Sequence, residues 1–297
     1  MSLPIRIEWP AHYRDYDLLM HDMGQMLEPF SWHHLNQWNI AVLPITLMAA
    51  SLLWYFSAAR SVPGWKPWRQ VWFALATITV FIATESVIGV YDMELFSSHM
   101  IQHLLLVMVA GPLYALSAPL DLLRASSPRS ERFLNSRPIK IVLHPVFGFA
   151  LYAAFIPATH LSVLFDWMLR YSWFHHGEQI SFLIVGYLFF RHAVGIEEGL
   201  TLHPGLRLVY VMAAVPVDTI TGLALAMSSH NPFPTYDTMM RMSTMPILED
   251  LHLGGAIMWI GGDGLMLLML FPIVVKWVKY ETAKTKEVDA ELDRLGL

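Results

Sequence analysis

The chain contains no cysteine. Disulfides, thiolate catalysis and Cys-ligated clusters are therefore excluded, and any metal would have to be held by histidine, carboxylate or thioether. Charge is scarce as well: only 14% of residues are charged, where a soluble domain carries about 25%. With 55% hydrophobic residues and a mean hydropathy of +0.45, too little charge remains to coat a water-facing surface. The net charge of −5 is small and no basic stripe exists, so nucleic acid is not an expected partner. A secretory leader is not expected either, because Arg6, Glu8, His12, Arg14, Asp15 and Asp17 interrupt any apolar run near the start.

What the chain has is long apolar stretches. Seven of them, at about 36–59, 70–90, 98–119, 139–161, 172–191, 206–228 and 252–275, approach the ~20 residues a bilayer crossing requires. The fifth contains Glu178 and Gln179, and its clean apolar core is only Ile180–Phe190. The expected fold is thus all-α, a polytopic bundle of seven membrane helices (36–275). An extramembrane His/Met-containing segment (1–35) precedes it, and a mixed-charge tail (276–297), solvated helix or frayed end, follows it.

Lysine and arginine set the orientation. Arg60, Lys66 and Arg69 fill the first loop; Arg124, Arg129, Arg132, Arg137 and Lys140 fill the third. Arg191 and Arg207 frame the fifth, and Lys276 and Lys279 begin the tail, whereas the alternate loops are nearly bare. The positive-inside rule then predicts an N-terminus outside and a C-terminus in the cytoplasm.

On that map the histidines are lopsided. His12, His21, His33, His34, His99, His103, His160, His175, His176, His230 and His252 fall outside, against only His144, His192 and His203 inside. His99 and His103 stand four apart, on one face of a helix, at a reach that suits two imidazoles sharing one ion or a plain pair of interfacial histidines. Carboxylates Asp92, Glu94, Asp166, Glu178, Glu249 and Asp250 and methionines Met93, Met100, Met239, Met240, Met242 and Met245 accompany them. Imidazole with thioether and no thiolate favours copper; zinc stays open, and so does a haem b held by histidines on facing helices. Single methionines are more commonly core filler.

Asp250 opens the seventh span and is read either as that helix's own N-terminal acceptor or as a ligand beside His252. Deeper lie Glu85, expected to support the outer histidines, and Asp218 and Asp263, at similar mid-membrane depth. The two aspartates face each other, meet Ser/Thr hydroxyls, or form a proton path. Gln102, between the paired histidines, and Asp166 and Glu178 are the remaining candidate supporting groups. Three functions follow: a metal-handling accessory protein, a membrane oxidoreductase with bound metal or haem b, or a proton or metal-ion transporter.

His99-Met100-Ile101-Gln102-His103-Leu104-Leu105-Leu106, followed by Gly111-Pro112-Leu113, resembles the signature of the multi-helix CtaG family. Thr159-His160 with Asp166, the pair His175-His176, and the run Asp250–Asp263 (DLHLGGAIMWIGGD) are similar to it too, so the likeness covers roughly 36–275. The resemblance implies a seven-helix protein of the bacterial plasma membrane that helps mature a haem–copper (cytochrome c) oxidase at its copper centres. Oxidase subunits or copper chaperones would be its partners, and His99, His103, His160, His175, Asp250 and His252 its metal-handling positions. One departure stands out: many members carry a second histidine where this chain has Gln179. A site across the fifth span is then one ligand short, or uses His176.

Overall fold

A computed structural model describes residues 36–197, 202–239 and 245–295. The N-terminal histidines and Met240 to Met242 lie outside them. Every regular element among the described residues is helical. In order these are α1 (Val42–Ser61), α2 (Pro67–Glu85), the short α3 (Val87–Tyr91) and α4 (Phe96–Leu104). A π-helical segment, Leu105–Ala110, carries α4 into α5 (Gly111–Ser117). Three short helices, α6 (Pro119–Ser126), α7 (Pro128–Leu134) and α8 (Arg137–Val142), make the connection to α9 (Pro145–His160). Then come α10 (Val163–Arg170), α11 (Ser172–Val194), α12 (Pro204–Ala226), α13 (Pro234–Thr238) and α14 (Ile247–Ala256). A second π-helical segment, Ile257–Gly261, leads into α15 (Gly262–Leu295).

Five helical stretches are long and apolar enough to cross a membrane: 42–61, 67–91, 96–126, 204–226 and 247–295. The pair α9 and α10, bent by 67°, would make a sixth. The expected count of seven is thus not reached by length and hydropathy alone. The stretch that falls short is α11, which has 23 residues but holds His175, His176, Glu178 and Gln179 near its start and Arg191 and His192 near its end. Outward faces are apolar: Val42 is 77% exposed on α1, and Leu268 and Phe271 are 70% and 72% exposed on α15. Apolar side chains turned outward at this density suit lipid, not water. Beyond residue 279 α15 runs on as an exposed, mixed-charge helix.

Two glycine contacts set how closely the helices meet. A Cβ on Gly186 of α11 would stand 2.6 Å from the carbonyl oxygen of Val107, and one on Gly111 would stand 2.8 Å from the backbone of Gly186. Only glycines allow this backbone-to-backbone approach, the small-residue packing that membrane helices favour. It lays α11 against the helix that carries His99 and His103. Gly222 and Gly255 do the same for α12 and α14, where a Cβ on Gly222 would lie 2.7 Å from the Gly255 carbonyl oxygen.

Candidate metal centre

Helical spacing puts His99 and His103 on one face of α4, one turn apart, with ring centroids 4.0 Å from each other. Glycine-mediated contact then brings Glu178 of α11 up to that face. Its Oε2 lies 3.6 Å from His99 Nε2 and 4.0 Å from His103 Nε2. The three donor atoms lie within 4.8 Å of one another, on residues that are all buried. None of these atoms, His99 Nε2, His103 Nε2 or Glu178 Oε2, has a hydrogen-bond partner. Buried polar atoms are rarely left that way. Three convergent orphans of the types that ligate metals form a group that could hold a cation. Two donors each ~2.0–2.2 Å from one ion at tetrahedral or trigonal angles lie roughly 3.3–3.8 Å apart, and the two spacings from Glu178 Oε2, 3.6 and 4.0 Å, lie in and just beyond that range.

Neighbours hold the rings in register. Phe182 stacks on His103 at 3.6 Å between centroids, and Phe165 meets His99 edge-on at 5.1 Å. His160, at the end of α9, fixes the tautomer of His103. Its Nδ1 lies 2.8 Å from the Ile156 carbonyl oxygen, which can only accept, so that nitrogen carries the proton. In the neutral ring Nε2 is then an acceptor, and it stands 3.2 Å from His103 Nδ1, which donates to it. The lone pair of His103 is thereby left on Nε2, the atom facing Glu178. A ligating imidazole needs this kind of support on its far nitrogen.

A second polar group adjoins the first. His175 Nε2 lies 3.1 Å from Asp92 Oδ2, and the same oxygen accepts from Gln102 Nε2 at 2.6 Å. Gln102 also donates to the Ala83 carbonyl at 3.0 Å. Beneath His103 and His160 lies a cavity of about 20 Å³, room for one water-sized guest, lined also by Met100, Met108, Met258 and Asp218.

The family profile described as cytochrome c oxidase caa3 assembly factor matches residues 33–280, from the segment before α1 into α15. The chain belongs to that family. Among curated relatives, uncharacterized proteins of Mycobacterium bovis and Mycobacterium tuberculosis are each 28% identical to it over 245 residues, 77% of this chain and 37% of theirs. One from Mycobacterium leprae is 26% identical over 268 residues, 86% of this chain and 41% of its own. The chain thus spans less than half the length of these relatives. No solved structure matches it.

In this chain the motifs that resemble the family divide between the centre and its scaffold. His99, His103, His160 and His175 come together, and Gln102 supports them through Asp92. Asp250 stands elsewhere: Oδ2 accepts the Phe96 N–H at 2.6 Å, and Oδ1 accepts the Ser97 N–H at 3.1 Å and the Ser97 hydroxyl at 2.5 Å. It therefore caps α4, the histidine helix, and not the α14 to which it belongs. His252 Nε2 donates to the Ser228 carbonyl at 2.8 Å, and His176 is exposed beside His175. Gln179 lies within the Asp92 group, 3.3 Å from His175 Nε2, and the third donor that converges on His99 and His103 is Glu178, whereas His176 is exposed.

Other expected supports hold the bundle instead. Glu85 accepts the Ala41 N–H at 2.7 Å and so caps the start of α1. Asp166 accepts the Thr235 N–H at 2.9 Å and pairs with Arg170 at 2.6 Å. Asp218 accepts the Tyr152 hydroxyl at 2.6 Å and Asp263 the Thr219 hydroxyl at 2.8 Å. His144 and His203 serve as N-caps, accepting from Val146 and Gly205. Two residues exceed the sequence reading. Glu178 is one of the three convergent donors, not a support, and its signal was a carboxylate three residues from His175 inside an apolar span. Asp92 is the hub of the second group, and its short loop gave no pattern to single it out.

Proposed function

We propose that this caa3 assembly factor holds a copper ion as cargo at His99, His103 and Glu178, for delivery to a cytochrome c oxidase. The convergence of three orphaned donors in a buried pocket carries the reading. Two imidazoles and a carboxylate suit copper or zinc, and the oxidase that gives the family its description is a haem–copper enzyme, which favours copper. The ion would supply no chemistry of its own here. The chain's residues bind it, orient the ligands through His160, and keep bulk water out behind Phe165 and Phe182.

The topology belongs to the same proposal. Seven crossings, with α11 as the polar-headed one, leave the N-terminus outside and the charged tail in the cytoplasm of a bacterial plasma membrane. The centre then sits at the outer end of the bundle, facing the side where an oxidase copper site or a copper chaperone would meet it. Thioethers are adjacent and not convergent with the donors: Met100 is buried in the core beside the cavity. A haem between His103 and His160 is disfavoured, because the two rings contact directly and leave no slot for a porphyrin.

The test is elemental analysis of the full chain purified in detergent. Wild type retains copper, and His99→Ala/His103→Ala does not. Equal copper in both would overturn the assignment, as would a Soret band in the visible spectrum of the purified protein.

A further inference from the structure

Between Ser126, where the apolar stretch 96–126 ends, and Pro145, where α9 begins, the chain folds into an elbow of two short helices, α7 and α8. Pro128 and Pro138 stand in their first turns, and neither helix is long enough to cross a bilayer. Both carry one pattern, basic-x-x-basic-apolar: Arg129-Ser130-Glu131-Arg132-Phe133 in α7 and Arg137-Pro138-Ile139-Lys140-Ile141 in α8. Positions i, i+3 and i+4 share a face, so each helix presents two cations and one apolar side chain together. We infer that the α7–α8 elbow is a docking surface for anionic phospholipid, with these cations on headgroup phosphates and Phe133 and Ile141 at the acyl boundary.

Exposure and pairing favour that partner. Arg129, Arg132, Arg137 and Lys140 are all exposed, and none is in an ion pair among the described residues, whereas the neighbouring Arg124 is held by Asp121 at 3.2 Å. Glu131 is the one carboxylate between residues 125 and 144, and it lies off the face that Arg129, Arg132 and Phe133 share. Phe133 and Ile141 are 59% and 63% exposed, although the adjacent Leu134 is buried and already anchors α7. Cations and apolar side chains on one face are how surface segments hold an anionic membrane. Both ends of the elbow continue into apolar stretches of the bundle, which keeps it at the bilayer surface with acyl chains within reach of Phe133 and Ile141.

The inference rests on the membrane topology proposed above, not on the metal centre, and its test separates surface from topology. Because the chain has no cysteine, Asn135→Cys, exposed between the two helices, can carry a single nitroxide label. Full-length labelled protein is reconstituted in vesicles of phosphatidylcholine alone or of equal parts phosphatidylcholine and phosphatidylglycerol. Collisions of the label with oxygen, which concentrates in lipid, are compared with collisions with a water-soluble nickel chelate present on both sides. The mixed vesicles are expected to shift the balance towards oxygen, and high salt to reverse the shift. Each cation adds about fivefold to partitioning onto an anionic surface. Arg132→Gln should therefore lose part of the shift, and Arg129→Gln/Arg132→Gln/Arg137→Gln/Lys140→Gln all of it. Phe133→Ser should leave the label shallower in the mixed vesicles. A label on Leu268→Cys, at the exposed apolar face of α15, should favour oxygen in both vesicles; one that favours nickel overturns the topology and the surface with it. An Asn135→Cys label equally open to water in both vesicles, or a shift that survives in the quadruple variant, overturns the lipid surface and leaves the topology.

Discussion

His103 donates through Nδ1 to Nε2 of His160 at 3.2 Å, across two helices 57 positions apart in sequence. Because His160 is itself committed to the Ile156 carbonyl, this one contact decides which nitrogen of His103 is available to an ion. His160 is thus a positioning residue. Replacing it with alanine should weaken metal binding about 10–100-fold, the usual cost of losing such a partner. A chelator competition titration measures it, and unchanged affinity would remove His160 from the account.

Glu178 contributes the only carboxylate among the three convergent donors. Glu178→Gln keeps the size of the side chain and removes its charge, so the fold should persist while divalent-ion affinity drops by more than the His160 variant loses. The same titration, run beside a thermal melt in detergent, separates lost ligation from lost folding.

Asp250 reaches α4 from a helix more than 150 positions away in sequence. Its removal strips three hydrogen bonds from the helix end that carries His99. Asp250→Ala should cost at least the about 1–2 kcal/mol of a lost N-cap, seen as a lower Tm, and should weaken metal binding indirectly. Asp250→Asn, which still accepts, should lie between that variant and wild type.

Binding requires neutral imidazoles and an ionised carboxylate, and protons compete for the same atoms. Affinity should therefore rise with pH. Titrations run on either side of neutral pH check the sign; affinity that increases on acidification would contradict it.

The helices and the paired histidines were legible because both follow local rules. Apolar runs near 20 residues long announce membrane helices, and a spacing of four puts His99 and His103 on one face. What was not legible depends on contacts between distant segments. Asp250 resembles a cap for its own helix, yet it caps α4, because Gly254 lets α14 close onto Phe96 and Met100 at α4's start. Glu85 was expected near the histidines and instead ties down α1. Glu178 and Asp92 became central only when close approach at Gly186 laid α11 against α4, and no pattern within either segment announces that approach. The bend of 67° between α9 and α10 falls where the fourth apolar stretch ends, and α10 occupies residues that read as a connecting loop.

The most direct measurement of the central claim is the copper content of purified wild type and His99→Ala/His103→Ala, expressed to equal levels. The account predicts copper in the wild type, its loss in the double variant, and a fall in oxidase activity in the host carrying that variant. Equal copper in the two proteins would contradict it.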